Sequence, residues 1–348
     1  MTRSDRTLFR TILSALGAAL LGTAASAQTL PAPGPTVEAI KKRGELVCGV
    51  DSGIPGFAYQ DSSGAWKGFD VDYCQALAAA VLGDPKKVKY VGTTAKVRFT
   101  VLQSGEIDVL IRDSTLTFSR DIGLGLTEVG VNFYAGQGFM VRKSLNVKTA
   151  AELNGATICM LTGATLELNI ADFARSKGTK IDSLLFEKSE EAFAAAEAGR
   201  CDGYSDDTGS LAAARSTMKV PNDWIIMPEV ISKEPLGIHT RDGDYRWSDI
   251  VFWVDTALKT AEEFGITKAN VDEKKKSEDP FVRRLLGLEG DFGKQLGIDN
   301  EGFYKAIKAV GSYGEIYDAH FGPKALGLPR GLNNLWSQGG LHYPLPFR

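Results

Sequence analysis

Strand-like and helix-like segments alternate along this chain, and the same order of segments occurs twice. Four short, largely apolar runs have the length and composition of buried strands, at residues 46–50, 88–91, 109–111 and 157–161, and a fifth strand is predicted at residues 201–205 after a helix. Helical patterns lie between these runs, at residues 68–81, 166–175 and 189–198. Because parallel strands must be joined by a crossover, which is usually a helix, this alternation predicts α/β lobes with largely parallel sheets.

The first 27 residues are typical of a secretory signal peptide. They contain a basic start, an apolar run and small residues at a cleavage position: Arg3, Arg6 and Arg10, then residues 11–22, then Ala25-Ser26-Ala27. The apolar run is shorter than the roughly 20 residues that span a bilayer. We therefore expect an exported mature chain that starts at Gln28 and has no membrane span.

The charge balance argues against nucleic acid as a partner. The full chain has 40 basic and 43 acidic residues, which gives a formal net charge of −3. The predicted signal segment carries three Arg and one Asp, so the net charge of the mature chain falls to −5. A nucleic-acid surface is basic instead.

The length of the mature chain predicts two lobes rather than one. Extended stretches at residues 139–142 and 236–240 leave the first and second units, and together they are candidates for a two-strand hinge. We expect residues 28–135 to begin the first lobe, residues 136–236 to form the second, and residues 237–348 to complete the first with a helical extension and a tail.

The four cysteines predict disulfide bonds, because an exported chain folds in an oxidising compartment. Four cysteines allow three pairings. We favour Cys48–Cys74 and Cys159–Cys201, since each pair then stays inside one lobe. A zinc site is the alternative, but no CxxC or CxxH spacing supports it.

Enzyme motifs are scarce, and we predict no catalytic group, cofactor or metal. The three histidines form no HExxH pair, and the chain has no GxSxG elbow and no phosphate-binding Walker A loop. Asp70 and Asp72 follow a glycine at a helix start, where capping explains them better than metal binding. Thr149 and Glu152 match a capping box. His239 lies in a candidate hinge strand, where we expect it to pack.

Three segments carry the groups that a free α-amino acid needs. Such a ligand requires a cation and N–H donors for its carboxylate and an anion for its ammonium group. The segments are residues 113–120, residues 163–165 and Asp206-Asp207. Each follows a predicted strand, and open α/β sheets bind ligands beyond the carboxyl ends of their strands.

Six motifs in order make the chain similar to a known family. They are Gly49-Val50-Asp51 with Gly56-Phe57, Gly68 to Asp72, Leu102 to Val109, Thr115 to Arg120, Gly199 to Asp202, and Glu234 to Ile238. Together they resemble the polar amino-acid-binding proteins of ABC importers, and the whole mature chain, including the tail at residues 328–332, resembles the general L-amino-acid-binding branch. The resemblance implies a two-lobed type II periplasmic-binding-protein fold and a monomeric periplasmic receptor that closes on free L-amino acids and delivers them to importer membrane subunits.

The resemblance also implies individual roles in binding. Arg120 would clamp the ligand carboxylate, assisted by the Thr115 hydroxyl and the helix-start N–H of Thr165. Asp207 would take the ammonium group. Asp51 would face the ammonium group or the ligand side chain.

Each of these roles has an alternative. Arg120 would form a surface ion pair with Asp121 if it did not bind ligand. Asp206 is the alternative ammonium partner. Thr165 is compatible with a helix N-cap as well as with binding.

Two departures from the family pattern bear on specificity. Arg112 and Asp113 stand where the family usually has small residues, and Asp113 is a candidate ligand-binding residue. Residues 95–99 replace a more usual aromatic residue and acid. We predict a roomy, polar pocket that accepts several side chains, including acidic ones, with Lys96 or Arg98 as the counter-charge; the alternative is that both are solvated.

Two other functions are compatible with the same fold. One is a periplasmic dehydratase-type enzyme, and the other is a ligand-sensing partner of a membrane receptor. Fold alone does not distinguish a binding protein from an enzyme, so the distinction depends on the residues of the site.

Overall fold

The computed structural model describes residues 33–348, so the predicted signal peptide lies outside the described residues. Across those residues, no helix is both long enough and apolar enough to cross a bilayer.

The first lobe is built on a five-stranded mixed sheet. From edge to edge its strands are β5 (Val88–Gly92), β1 (Leu46–Val50), β6 (Val109–Thr115), β13 (Glu234–Arg241) and β7 (Leu126–Ala135). The strands β5, β1 and β6 run parallel, while β13 is antiparallel to both of its neighbours. A small hairpin sheet adds β2 (Gly53–Ile54), β3 (Ala58–Gln60) and β4 (Trp66–Lys67).

The second lobe is built on a second five-stranded sheet of the same kind. Its order is β10 (Asp182–Phe186), β9 (Thr157–Leu161), β11 (Gly203–Asp207), β8 (Gln137–Arg142) and β12 (Trp224–Ile226). The first three strands are parallel, and β8 is antiparallel to both β11 and β12. The chain crosses between the lobes twice, from β7 to β8 and from β12 to β13. The predicted two-lobed α/β fold with a two-strand hinge is confirmed.

Helices cover both sheets. The first lobe carries α1 (Pro35–Arg43), α2 (Phe69–Leu82), α3 (Arg98–Gln103), α4 (Phe118–Leu124) and α8 (Tyr245–Glu263). The second lobe carries α5 (Leu166–Lys177), α6 (Ser189–Glu197) and α7 (Thr208–Thr217). The helices after α8 are short: α9 (Val271–Lys274), α10 (Pro280–Leu285), α11 (Phe292–Gln295), α12 (Gly302–Val310) and α13 (Tyr313–His320).

The carboxy-terminal extension belongs to the core of the first lobe. Phe303, Tyr313 and Tyr317 are buried in the same apolar cluster as Phe69 on α2. The tail returns to this core, where Phe347 is 4% exposed. At roughly 25 cal/mol per Å² of buried apolar surface, these aromatic side chains stabilise the lobe substantially.

The predicted disulfide pairs are both present. Cys48 on β1 is bonded to Cys74 on α2, and Cys159 on β9 is bonded to Cys201. Each bond joins elements of a single lobe, so neither restricts the motion of one lobe relative to the other. The zinc alternative is wrong for these four cysteines.

Several predicted local features differ in the structure. Asp70 does not cap α2: the helix begins after Gly68, and the Asp70 side chain is buried, with one oxygen that has no partner. Asp72 instead bonds His320, with 2.7 Å between Oδ2 and Nε2. The Thr149 hydroxyl bonds the Glu152 carboxylate rather than a backbone amide, so no capping box forms.

Two strands extend past their predicted ends. The strand predicted at residues 109–111 continues to Thr115, and the one predicted at 201–205 runs from Gly203 to Asp207. The sequence predicted loops for the polar residues at these ends. Ser114 and Thr115 are strand residues because they pair with β13, and Asp206 and Asp207 are strand residues because they pair with β8; all four are buried.

Candidate ligand-binding site

A small cavity lies between the two lobes, at the ends of β6 and β11. Its lining is mostly polar and charged, and it combines residues of both lobes: Ala95, Arg98, Arg112, Asp113, Thr115, Arg120, Leu161, Ala164, Thr165, Leu166, Asp206, Asp207, Glu234 and Leu236. Five of the six predicted ligand-binding residues are in this set. Asp51 is the one that does not line the cavity.

Arg120 is buried at the cavity wall, in the first turns of α4. Its Nη1 donates to the backbone oxygen of Thr115 at 2.7 Å, and its guanidinium lies over the Phe99 ring, 4.9 Å from the centroid. Within residues 33–348, no carboxylate forms an ion pair with it. Burial lowers the pKa of Arg120 to about 10, which leaves it charged at neutral pH. The alternative of a surface ion pair with Asp121 is wrong, because Arg120 is only 8% exposed.

Arg112 is held between two acids of its own lobe. It forms ion pairs with Asp51 and, at 2.9 Å, with Asp113. Asp51 also accepts a hydrogen bond from the backbone of Gly53 at 2.8 Å. Asp51 therefore supports Arg112 from behind the cavity wall rather than facing a ligand directly.

A β-bulge directs Arg112 and Asp113 to the cavity. Ile111 pairs with Ile238 and Ser114 with Gly237, so two residues of β6 have no partner on β13. Asp113 has φ +22°, which is a strained value for a residue other than glycine. Bulges re-aim side chains in this way near functional sites.

Asp113 is a titratable acid inside this cluster. Burial is the main cause that raises its pKa, to about 7, and the charges of Asp51 and Asp207 raise it further. The Arg112 guanidinium opposes the shift. Asp113 therefore changes its charge near physiological pH.

The second lobe supplies two adjacent buried acids at the end of β11. Asp207 caps α7: it accepts from the backbone N–H groups of Gly209 at 2.8 Å and Ser210 at 3.1 Å, and from the Ser210 hydroxyl at 2.7 Å. Asp206 accepts from the Tyr204 hydroxyl and from the backbone N–H of Asp207. Burial raises the pKa of both acids. Both line the cavity, so the choice between them as the ammonium partner stays a prediction.

Glu234 joins the two lobes from the start of β13. Its carboxylate accepts from the hydroxyls of Thr115 and, at 2.9 Å, Thr165, and from Ser232 Oγ at 2.7 Å and Asn169 Nδ2 at 2.6 Å. Thr115 belongs to the first lobe, and Thr165 and Asn169 to the second. The sequence named Glu234 only as part of a family motif and gave it no role, because nothing local indicates that four donors converge on it.

Lys96 and Arg98, the two candidate counter-charges, differ in the structure. Lys96 is exposed and pairs with Glu187 of the second lobe at 2.6 Å. Arg98 is 2% exposed and lines the cavity. The solvated alternative therefore holds for Lys96 and is wrong for Arg98.

The lobes are closed around the cavity. Gly163 has φ +75°, and a Cβ atom there would lie 2.8 Å from the Cα of Lys96 across the interface. A Cβ atom on Gly209 would lie 2.8 Å from the Phe57 ring. Only glycine permits these approaches. The prediction of a roomy pocket is wrong for this conformation.

His239 packs rather than binds. It is fully buried on β13, and its ring centroid is 5.3 Å from that of Phe99. Burial lowers its pKa to about 3, and the Arg120 and Arg98 charges lower it further. His239 is therefore neutral at physiological pH.

The sequence is similar to known solute-binding proteins over almost its whole length. A family model for bacterial extracellular solute-binding proteins, family 3, matches residues 46–323. The chain is 52% identical over 333 residues to the glutamate/glutamine/aspartate/asparagine-binding protein of Rhodobacter capsulatus, covering 95% of this chain and 96% of that protein. It is 51% identical over 338 residues to the general L-amino acid-binding periplasmic protein of Rhizobium johnstonii, covering 96% and 98%.

The fold is also similar to solved structures. An ABC transporter periplasmic binding protein from Brucella ovis with glutathione bound has a TM-score of 0.88 and 50% identity, covering 90% of this chain and 99% of that one. An ancestral arginine-binding protein bound to arginine has a TM-score of 0.55 and 29% identity, covering 64% and 95%. With a family model that matches most of its length and two lobes that enclose a charged cavity, this chain belongs to family 3 of the bacterial extracellular solute-binding proteins.

Proposed function

We propose that this protein captures free L-amino acids in the periplasm and delivers them to the membrane subunits of an ABC importer. One observation carries the proposal: Arg120, a buried guanidinium with no ion-pair partner among residues 33–348, lines the same cavity as two buried acids of the opposite lobe, Asp206 and Asp207. An α-amino acid carries a carboxylate and an ammonium group on neighbouring atoms. It therefore complements this arrangement at both ends.

The names of the relatives support this proposal. The relatives from R. capsulatus and R. johnstonii are amino-acid-binding proteins by name, and the second is also periplasmic by name. Export by the predicted signal peptide at residues 1–27 fits that location. The glutathione-bound relative from B. ovis makes glutathione a second ligand to test, since it also carries an α-amino acid group.

Lobe closure is the proposed mechanism. A ligand held by Arg120 of the first lobe gains contacts with Asp207 and with the first turn of α5 only when the second lobe closes. The ligand therefore favours the closed state by its additional contacts, and the importer would recognise that state.

The resemblance implies that the Thr115 hydroxyl contacts the ligand carboxylate, and its bond to Glu234 supports a different role. A hydroxyl has one proton to donate. Thr115 and Thr165 donate theirs to Glu234 in this conformation. We propose that Arg120 and the amides at the start of α5 hold the ligand carboxylate, while Glu234 keeps the two hydroxyls in place.

The test is the unfolding of residues 28–348 with each common L-amino acid and with glutathione, after refolding to remove carried-over ligand. A ligand that binds only the folded state stabilises it by about 2.7 kcal/mol at a hundredfold excess over Kd. We expect clear shifts with several amino acids. Stabilisation by none of these compounds would refute the proposal.

Arg120→Ala should then abolish the shifts, because removing one member of a buried charge pair costs roughly 2–5 kcal/mol. Arg241→Ala is the matched control. Arg241 also donates to backbone carbonyls, those of Leu102 and Ile107, but lies outside the cavity lining. If both variants lose the same amount of ligand-induced stabilisation, Arg120 does not bind the ligand carboxylate.

We also propose that the protein binds its ligand without changing it. Asp206 and Asp207 fit an ammonium partner better than a general acid or base, because Asp207 already accepts three hydrogen bonds from its own helix. Ligand incubated with the protein should be recovered intact. A chemically altered product would favour the dehydratase-type alternative.

A further inference from the structure

The carboxy-terminal tail continues beyond the part of the chain that the family model matches, which ends at residue 323. The tail is nevertheless fixed to the first lobe. Arg330 forms two hydrogen bonds with Glu262 on α8, at 2.6 and 3.0 Å, and such bidentate pairs hold both side chains in one geometry. The His342 ring packs against that of Tyr313, with 4.4 Å between centroids. We call residues 328–333 of this tail the brace segment.

Asn333 connects the brace segment to the hinge. Its side chain accepts a hydrogen bond from the backbone N–H of Tyr134 at 2.7 Å and donates one to the backbone oxygen of the same residue at 2.9 Å. Tyr134 lies near the end of β7, two residues before the crossing at Gly136. Because β7 is an edge strand, these backbone groups point away from the sheet. Asn333 therefore takes the place of a neighbouring strand where the chain leaves the first lobe.

A groove of about 330 Å³ separates the brace segment from the second lobe. One wall is the brace segment itself, and the other includes Thr208 and Val230 of the second lobe. Val230 and Leu332, one from each wall, are both about half exposed, at 51% and 53%. The groove therefore leaves room for the second lobe to move toward the brace segment.

The hinge lies between this groove and the ligand cavity. A Cβ atom on Gly136 would lie only 2.9 Å from the backbone oxygen of Ser232, so the two crossing segments are in contact and form a narrow pivot. Adjacent residues belong to opposite sides of this pivot: Asp207 and Glu234 line the cavity, whereas Thr208 and Lys233 line the groove. A rotation that widens the cavity therefore narrows the groove.

We propose that the brace segment limits how far the two lobes open. As the cavity opens, Val230 moves toward Leu332, and the bonds from Asn333 to Tyr134 hold the brace segment in its path. A smaller range of open conformations lowers the free energy that closure costs, so the tail raises ligand affinity without touching the ligand. This inference rests on the proposed closure around an amino acid and adds a control of affinity outside the cavity.

Substitution of Leu332 tests the proposal in both directions. Leu332→Trp adds volume to the groove and should hold the ligand-free protein nearer to the closed form, whereas Leu332→Ala should allow wider opening. Small-angle X-ray scattering of ligand-free residues 28–348 should give a radius of gyration that increases from Leu332→Trp through wild type to Leu332→Ala. With saturating L-glutamine the three radii should agree, because the closed form is the same.

Affinity should follow the same order. Calorimetry with L-glutamate and L-glutamine should show that Leu332→Trp raises, and Leu332→Ala lowers, the affinity for both ligands by about threefold. Leu341 provides the matched control, because it lies on the same tail, is 50% exposed and is outside the groove lining. Leu341→Trp and Leu341→Ala should leave both the radius and the affinities unchanged.

Asn333→Ala removes both bonds to Tyr134 and should widen the ligand-free protein as Leu332→Ala does. Equal ligand-free radii in the two Leu332 variants, or a change of affinity in the same direction in both, would overturn the proposal. The ligand-free radius requires no ligand, so a failure of every amino acid to bind would refute the proposed function and leave this test of the brace segment intact.

Discussion

The two lobes contribute a different balance of charge to the cavity. The first lobe contributes the three guanidiniums of Arg98, Arg112 and Arg120 with one acid between them, Asp113, whereas the second lobe contributes the acids Asp206 and Asp207. The first lobe alone therefore attracts the anionic end of a zwitterion, and the second lobe alone attracts its cationic end. High affinity requires both lobes, which ties binding to closure.

The lobes also hold their charges by different means. Asp207 is fixed locally by the first turn of its own helix, through the N–H groups of Gly209 and Ser210. The guanidinium of Arg112 is fixed by Asp51, which directly follows the neighbouring strand β1. Hydrogen bonds within one helix turn, as at Asp207, are kept when the sheet shifts slightly. An ion pair between distant segments, as at Arg112, depends on the packing of the whole lobe. The position of Asp207 should therefore be less sensitive than that of Arg112 to substitutions elsewhere in the protein.

The largest effect should come from removing the charge that complements the ammonium group. Asp207→Asn should reduce amino-acid affinity by at least about thirtyfold, because a buried charge pair loses one partner. Asn caps helices about as well as Asp, so the free energy of unfolding of the ligand-free protein should change by less than about 1 kcal/mol. Calorimetry and urea unfolding measure the two quantities.

Asp206→Asn is the matched variant for this prediction. Asp206 is buried beside Asp207 and accepts from the Tyr204 hydroxyl instead of a helix start. If Asp206→Asn reduces affinity more than Asp207→Asn does, Asp206 is the ammonium partner and the roles of the two acids are reversed.

A smaller effect should follow from weakening the link between the lobes. Glu234→Gln replaces one carboxylate oxygen by an NH₂ group that faces donors, leaving buried hydroxyls without an acceptor. We expect the free energy of unfolding to fall by about 1–3 kcal/mol without ligand, measured in urea. Glu187→Gln, on the exposed ion pair with Lys96, should cost less than about 1 kcal/mol. Equal costs would show that the four bonds to Glu234 do not stabilise the closed form.

The smallest effect concerns Asp113, the acid among the guanidiniums of the first lobe. Because its pKa is raised to about 7, it gains a proton as the pH falls from 8 to 6. The cavity then repels anions less, so glutamate affinity should rise a few-fold over this range, and glutamine affinity should rise less. Calorimetry at several pH values measures both slopes.

The same shift in the pKa of Asp113 has a consequence for stability. Between about pH 4 and pH 7 the folded protein keeps a proton that the unfolded chain loses, so this group lowers stability as the pH rises through that range. Asp113→Asn removes the titrating group, and Asn tolerates positive φ. An unchanged pH dependence of glutamate affinity in this variant would exclude Asp113 as the cause.

Some features of this protein follow from local sequence. The strand at residues 46–50 and the helix at residues 189–198 agree with the structure within one residue, because periodicity and a terminating glycine act over a few positions. The two disulfides followed from keeping each pair within one lobe. The candidates Arg120 and Asp207 came from motifs that mark strand ends, where such folds bind ligands.

Other features depend on what lies opposite in the folded chain. Lys96 and Arg98 are two residues apart with the same charge, yet only Arg98 is buried, since the facing lobe covers one and not the other. Asp70 has the sequence context of a cap but lies inside the lobe, where burial raises its pKa well above the ordinary value. Glu234 gains three of its four partners from segments 65 to 119 residues away.

The sequence by itself therefore determined the elements, the two lobes, the cysteine pairs and the kind of chemistry at the strand ends, because these depend on neighbours along the chain. The tertiary structure decided which charges are paired and which are free. Pairing of buried charges depends on distances between residues far apart in sequence, and those distances exist only once both lobes are folded and closed.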